Sequence, residues 1–310
     1  MNILTFDIEE WFHILDNEST KTINEWKNYE VRIHLNMERI FNILERTNTK
    51  ATFFCLGWIA ETYPGVVKEI VARGYEVGTH TRMHQLVYEQ SPAEFEKDLE
   101  YSIKTLEDIT GQKVKYFRAP GFSITENEKW AFEILVKHGI EVDCSIFPAP
   151  RAHGGFPSYK TPTPSIIKLT NNRNSNNKSS TAPNPQQPIP PPLGGVRGGL
   201  GLLELPINYT TVFNKSIIFS GGGYFRLFPY ALIKKWTKQS DYVMSYLHPR
   251  DFDAEQPVIK ELSALRKFKS YVGLKKAEHK LEKWLTDFEF VDIGTAVEQI
   301  NWNKVPVVEL

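Results

Sequence analysis

Cysteine is scarce in this chain of 310 residues. Cys55 and Cys144 are the only two, each in an apolar run, with neither a CxxC nor a metal-type spacing. A disulfide framework and a thiolate zinc knuckle are both excluded, and two buried, reduced thiols are expected. Charge of one sign is also lacking, because 37 Lys and Arg are balanced by 37 Asp and Glu. Such a balance offers no general drive toward nucleic acid or an anionic membrane, so neither is expected as a partner. Long hydrophobic runs are missing as well. The most apolar later stretch, IIFSGGGYFRLFPYALI, is interrupted by three glycines, Arg226 and Pro229, and no transmembrane segment is expected. The N-terminus, MNILTFDIEEWFH, carries acids at 7, 9 and 10 without a basic segment ahead of an apolar one. A secretory leader is therefore not expected, and a cytoplasmic location is. No internal repeat of fixed period is present.

What the chain does have is alternation. Short apolar runs at 3–6, 51–54, 75–78, 115–118, 140–143, 202–205 and 243–247 are separated by helical patterns at 36–46, 61–73, 92–109, 126–138, 230–237 and 258–268. Repeated βα units produce this rhythm. Ser91, Pro92 and Glu94 stand in N-cap, first-turn and capping-box positions and fix the start of one helix. A further helical pattern at 275–286 and a strand pattern near 288–293 follow. The segment 171–201 breaks the rhythm with Asn, Ser, Pro and Gly and almost nothing to bury, and reads as a disordered insertion.

In parallel α/β architectures, ligand sites form beyond the C-terminal ends of the strands. Polar groups recur at those places here: Asp7, Glu9 and Glu10 after the first strand, His80 and His84 after the third, and Arg118-Ala-Pro-Gly after the fourth. Asp143 ends the fifth, and His248-Pro249 follows the last. Each has an ordinary alternative as a cap, a turn residue or a surface group. Their recurrence on one rim is what argues for a site. His80 and His84, four apart, would share a helix face at metal-ligand spacing. Asp7 and Glu9, two apart on an extended chain, point the same way. Two imidazoles and one carboxylate make a three-ligand site for a divalent ion such as Zn²⁺, which polarises a carbonyl and activates water. A carboxylate base with an arginine beside it, and a histidine acid with an aspartate beside it, complete the needs of amide or ester hydrolysis. Asp7, Arg118, His248 and Asp143 fit those four roles. Trp11 and Phe12 read equally as core or as a sugar-stacking wall.

The stretches TFDIEEWFH, ATFFCLGWIAETYP, GTHTRMHQL, YFRAPGFSI, VDCSIFP and SYLHPRDFD, in that order over residues 3 to 253, resemble the motif series of the polysaccharide deacetylase family. This family is also called NodB-homology or carbohydrate esterase family four. The wording is most similar to the subgroup found with exopolysaccharide loci, which carries a C-terminal extension. The resemblance implies an α/β fold, a distorted (β/α) barrel of fewer than eight strands, and metal-dependent removal of acetyl groups from N-acetylated sugars in a glycan or its precursor. It implies Zn as the metal, with Co or Ni as alternatives. By position it makes Asp7 the base, His80 and His84 metal ligands, Arg118 the residue orienting the base, His248 the acid, Asp143 the partner of that histidine, and Gly121 an oxyanion donor through its backbone N–H. The family's two adjacent aspartates are absent, since Asp7 is followed by Ile8. Glu9 is expected as third ligand, with Glu10 the alternative.

A catalytic domain is thus expected over 1–253 and a packed C-terminal extension over 254–310. Hydrolysis of a small cyclic amide or imide on the same fold, and a non-catalytic glycan-binding protein, are the competing readings.

Overall fold

The computed structural model describes residues 1–15, 18–20, 22–149, 151, 153–169 and 201–310. Its strands are β1 Asn2–Ile3, β2 Thr5–Ile8, β3 Thr52–Cys55, β4 Glu76–Thr79, β5 Tyr116–Phe117, β6 Val142–Asp143, β7 Ser165–Lys168, β8 Gly201–Glu204, β9 Thr210–Val212, β10 Lys215–Ile217, β11 Val243–Met244 and β12 Val307–Glu309. One sheet has the order β12-β7-β8-β6-β5-β4-β3-β2. Within it β2, β3, β4, β5, β6 and β8 are parallel neighbours. β11 flanks the other side of the first strands, pairing in parallel with β1 and continuing through a bridge between Phe6 and Leu247. The wall then returns to the chain beyond β8, where Tyr242 Oη donates to Pro206 O at 2.8 Å and Met244 N to Asn208 Oδ1 at 3.0 Å. A barrel with fewer than eight parallel strands results, with β7 antiparallel on β8 and β12 outside it. All but the last residue of the expected insertion lies outside the described residues; that last residue, Gly201, opens β8.

The main helices follow from local chemistry. They are α1 Ile23–Trp26, α2 Ile33–Thr47, α3 Gly57–Thr62, α4 Pro64–Ala72, α5 Pro92–Thr110, α6 Trp130–Lys137, α7 Gly222–Leu227, α8 Tyr230–Gln239, α9 Ala264–Tyr271, α10 Leu274–Asp287 and α11 Ile293–Gln299. At α5 the Ser91 and Glu94 side chains form the expected capping box. Where one helix was expected over 61–73 there are two, divided at Tyr63, because the residue before a proline is pushed out of the helical region. The strand expected near 288–293 is reduced to a single bridge from Val291 to Ile3. Asp292 then caps α11, accepting from Thr295 N at 2.9 Å. Ser263 sets the start of α9 in the same way, several residues later than the apolar pattern suggested.

Both cysteines are buried and unbridged, and the core falls into two clusters, a larger one that includes Cys55 and a smaller one that includes Cys144 with Phe54, Val142, Leu203 and Met244. The strands are tightly spaced at Gly78, where an added Cβ would lie 2.7 Å from the Phe54 ring and 2.9 Å from Tyr116 O. Overpacking of this kind costs about 1–3 kcal/mol. Gly78→Ala is therefore expected to lower the urea midpoint by a corresponding amount with the m-value unchanged; an unaltered midpoint would contradict the packing described.

Candidate active site

The end of β2 sends its side chains to opposite sides. Asp7 and Glu9 both turn inward: His248 Nε2 lies 3.7 Å from Asp7 Oδ2 and 3.8 Å from Glu9 Oε1. Glu10 turns the other way and caps α2, its Oε1 accepting from Arg32 N and Ile33 N at 2.8 Å each. Burial pushes the Glu10 carboxyl up to about 7 despite those donors. Of the two candidates, Glu9 is the one beside the histidines.

His80 leaves β4 with its backbone N bonded to Cys55 O, and its Nδ1 lies 2.7 Å from Arg118 O. A carbonyl only accepts, so Nδ1 carries the hydrogen and Nε2 keeps its lone pair. Burial lowers the ring's pKa to about 4, which holds it neutral. His84 is not one helical turn further on, as its spacing had suggested. The stretch from 80 to 86 is a loop with left-handed residues at Thr81 (φ 67°) and His84 (φ 54°). Gly57 N and Ser102 Oγ donate to Thr81 O, Trp58 N to Arg82 O, and Arg82 N to Asp98 Oδ2, and together they pin the loop. It brings His84 Nε2 to 2.8 Å from Glu9 Oε2, although the latter has no aligned hydrogen-bond donor. One ligand atom from each of Glu9, His80 and His84 lies within 4.8 Å of the others. Burial would raise the Glu9 carboxyl, but the charge of His84 overrides it and holds the group well below the carboxylate range.

Arg118 is fully buried. Its Nη1 donates to Asp7 Oδ1 and to Thr5 Oγ1, both at 2.7 Å, its Nε donates to Cys144 O, and its guanidinium lies 4.4 Å from the Phe54 ring centre. Gly121 sits just beyond β5 in a tight turn, Pro120–Phe122, with φ 60°.

The partner expected for His248 is displaced. Asp143 Oδ1 accepts from Ser145 Oγ at 2.5 Å beside the Glu204 carboxyl, and burial raises both acids. Because Ser145 Oγ in turn accepts from Ala119 N, Asp143 braces the loop that carries Gly121 instead of the histidine. His248 bonds to Asp251: Nδ1 lies 3.0 Å from Asp251 Oδ2, which also accepts from His248 N at 2.9 Å. Asp251 Oδ1 accepts from Arg226 Nε at 2.9 Å, and Arg226 reaches the carbonyls of Val272 and Lys269. Burial would lower the His248 pKa, but the Asp251 bond and charge, with Glu9 and Asp7, carry it up to about 9. The i, i+3 spacing in HPRD was the available signal for Asp251; Arg226 had none.

Trp11 and Phe12 are core residues, 2% and 1% exposed. His13 is buried too, its ring centre 6.0 Å from that of His84 and 4.3 Å from that of Trp26. Trp26, Trp58, Tyr29 and Tyr63 line an open cavity of about 370 Å³ on that side, with Lys27, Glu61 and Arg82 among its polar groups.

A barrel of parallel strands with two histidines, inward carboxylates and a paired arginine at their C-terminal ends defines the class, and comparison with known proteins agrees. Residues 16–142 match the family model "Polysaccharide deacetylase". Residues 144–298, half of the chain, match "Domain of unknown function (DUF3473)". This chain carries a polysaccharide deacetylase domain. It is 35% identical over 96 residues to a peptidoglycan-N-acetylglucosamine deacetylase of Bacillus cereus, covering 31% of this chain and 35% of that protein. To a peptidoglycan deacetylase of Helicobacter pylori it is 28% identical over 121 residues, covering 39% of each. The chain thus spans little more than a third of the length of these relatives. A crystal structure from Mycobacterium smegmatis, assigned to the polysaccharide deacetylases, shares the fold with a TM-score of 0.61 at 17% identity, covering 100% of this chain and 92% of that one.

A histidine whose pKa is raised stays protonated below that value and loses its proton as pH climbs through it. Asp251→Asn removes the main raising partner. The His248 pKa, followed by NMR of the ring protons, is expected to fall in this variant; an unmoved titration would show that Asp251 does not act on His248.

Proposed function

We propose that this protein is a metal-dependent deacetylase that removes acetyl groups from N-acetylated hexosamine units of a polysaccharide or its precursor. The observation that carries this reading is the pairing of two sets of groups around one space: Glu9, His80 and His84 on one side, and Asp7 with Arg118 and His248 with Asp251 on the other. The donor set suits a divalent cation. Both imidazoles and the carboxylate are buried, His80 offers a lone pair at Nε2, and Glu9 Oε2 faces His84 without a donor aligned on it. Zinc fits such nitrogen and oxygen ligands, and cobalt or nickel substitutes chemically. A divalent ion held there supplies Lewis-acid polarisation of the amide carbonyl.

The chain's own residues do the rest. Asp7 takes a proton from the attacking water as the new carbon–oxygen bond forms, while Arg118 fixes its carboxylate by a buried, charge-assisted hydrogen bond. His248, protonated at neutral pH, gives a proton to the departing nitrogen as the carbon–nitrogen bond breaks, so acetate and a free amine leave. Asp251 holds the ring so that Nε2 faces the reacting groups. Gly121 offers its backbone N–H for the developing negative oxygen. A sugar is favoured as substrate by the neighbouring cavity, whose aromatic rings suit the C–H face of a pyranose and whose polar groups suit its hydroxyls.

The test is acetate release from N-acetylglucosamine oligomers by protein stripped with chelator and resupplied with Zn²⁺, Co²⁺ or Ni²⁺. Release is expected to vanish on stripping and return with metal, and Asp7→Asn is expected to cost about 10²–10⁴-fold in kcat. Release that survives the chelator, or an Asp7→Asn variant as active as the parent, would contradict the assignment.

A further inference from the structure

Helix α9 is inside out. Its apolar side faces solvent, with Leu265 65% and Phe268 55% exposed, and none of its residues is buried. Arg266 and Tyr271 face the protein instead, Arg266 Nη2 donating to Leu15 O and Tyr271 Oη accepting from Ile259 N. Helices of soluble proteins ordinarily bury the apolar stripe. The exposed stripe extends onto α7, where Tyr224 and Leu227 are 47% and 46% exposed. The two helices are in contact, since Arg226 Nη2 donates to Lys269 O and an added Cβ on Gly223 would lie 3.0 Å from the same oxygen.

The charge around this patch departs from the chain's neutrality. Residues 258 to 276 carry six basic residues, Lys260, Arg266, Lys267, Lys269, Lys275 and Lys276, against one acid, Glu261. Exposed leucine and phenylalanine bordered by lysine and arginine are the chemistry of a surface that lies in the headgroup region of an anionic bilayer. A second copy of the same patch would set these cations against each other. The segment 171–200 does not complement it either, because its only charged residues are Arg173, Lys178 and Arg197. Among the described residues no helix is long and apolar enough to cross a membrane.

We propose that the face formed by Tyr224, Leu227, Leu265 and Phe268, with Lys269 beside it, docks the protein on an anionic membrane surface. The N-terminal end of α7 borders the site, since an added Cβ on Gly222 would be 4.0 Å from His248 Cε1. Docking there brings the opening beside His248 close to the lipid surface, where a membrane-attached glycan would be presented.

The experiment is co-sedimentation of the full chain with phosphatidylcholine vesicles, with and without about one third phosphatidylglycerol. It reads binding and not acetate release, so it is independent of the proposed reaction. Binding is expected only with the anionic lipid and is expected to weaken as salt rises. Phe268→Glu and Leu265→Glu should each reduce the partition coefficient about tenfold or more, and Lys269→Glu should reduce it less. These side chains are exposed, and unchanged circular dichroism would verify that each variant folds. No binding to anionic vesicles, binding untouched by both apolar substitutions, or a concentration-dependent dimer that Phe268→Glu abolishes would overturn the proposal.

Discussion

A guanidinium with no exposure at all must meet its counter-charge inside the protein, and at the centre of this barrel Arg118 meets Asp7. Breaking such a pair by removing one partner typically costs about 3–5 kcal/mol, because the other charge is left buried. The arrangement therefore constrains much of what surrounds it. It ties the end of β5 to the end of β2, places the Arg118 carbonyl where His80 Nδ1 must donate to it, and so sets which nitrogen of His80 is free. Stacking over Phe54 of β3 and a bond to Cys144 O just beyond β6 hold the guanidinium in place.

The second half of the site comes from the other end of the chain. His248 follows β11, which lies beside β1 and β2, so the first and last parts of the barrel bring Asp7 and His248 to face each other. Its orientation depends on Asp251, then on Arg226, and through Arg226 on the carbonyls of Lys269 and Val272 at the turn between α9 and α10. The segment beyond the barrel thus stabilises the histidine through a chain of charge-assisted bonds. It is also the segment that presents the exposed cationic face, so one element links the geometry of His248 to that surface.

Much of this was legible in the sequence. Strands of a parallel barrel are buried on both sides, and their short apolar runs marked all seven places correctly to within a few residues. The polar groups at their ends marked the rim. What escaped was set by contacts distant in sequence or by backbone conformation. Spacing of four suggested a helix for His80 and His84, yet two left-handed residues make a loop whose anchors are Gly57, Trp58, Asp98 and Ser102. Asp143 sat at the right strand end, but there Ser145 donates to it and the buried Glu204 lies beside it, and no spacing rule foretells that pairing. Glu9 and Glu10 were separable only once α2 was seen to need a cap.

Whether Glu9, His80 and His84 form a metal centre decides the account. The most direct measurement is a titration of chelator-stripped protein with Co²⁺, followed by the visible absorption of the bound ion, in the parent, Glu9→Gln and Glu10→Gln. The account predicts one bound ion per chain, affinity reduced at least about tenfold in Glu9→Gln, and near-parental affinity in Glu10→Gln. Parental affinity in Glu9→Gln, with the loss appearing in Glu10→Gln, would contradict it.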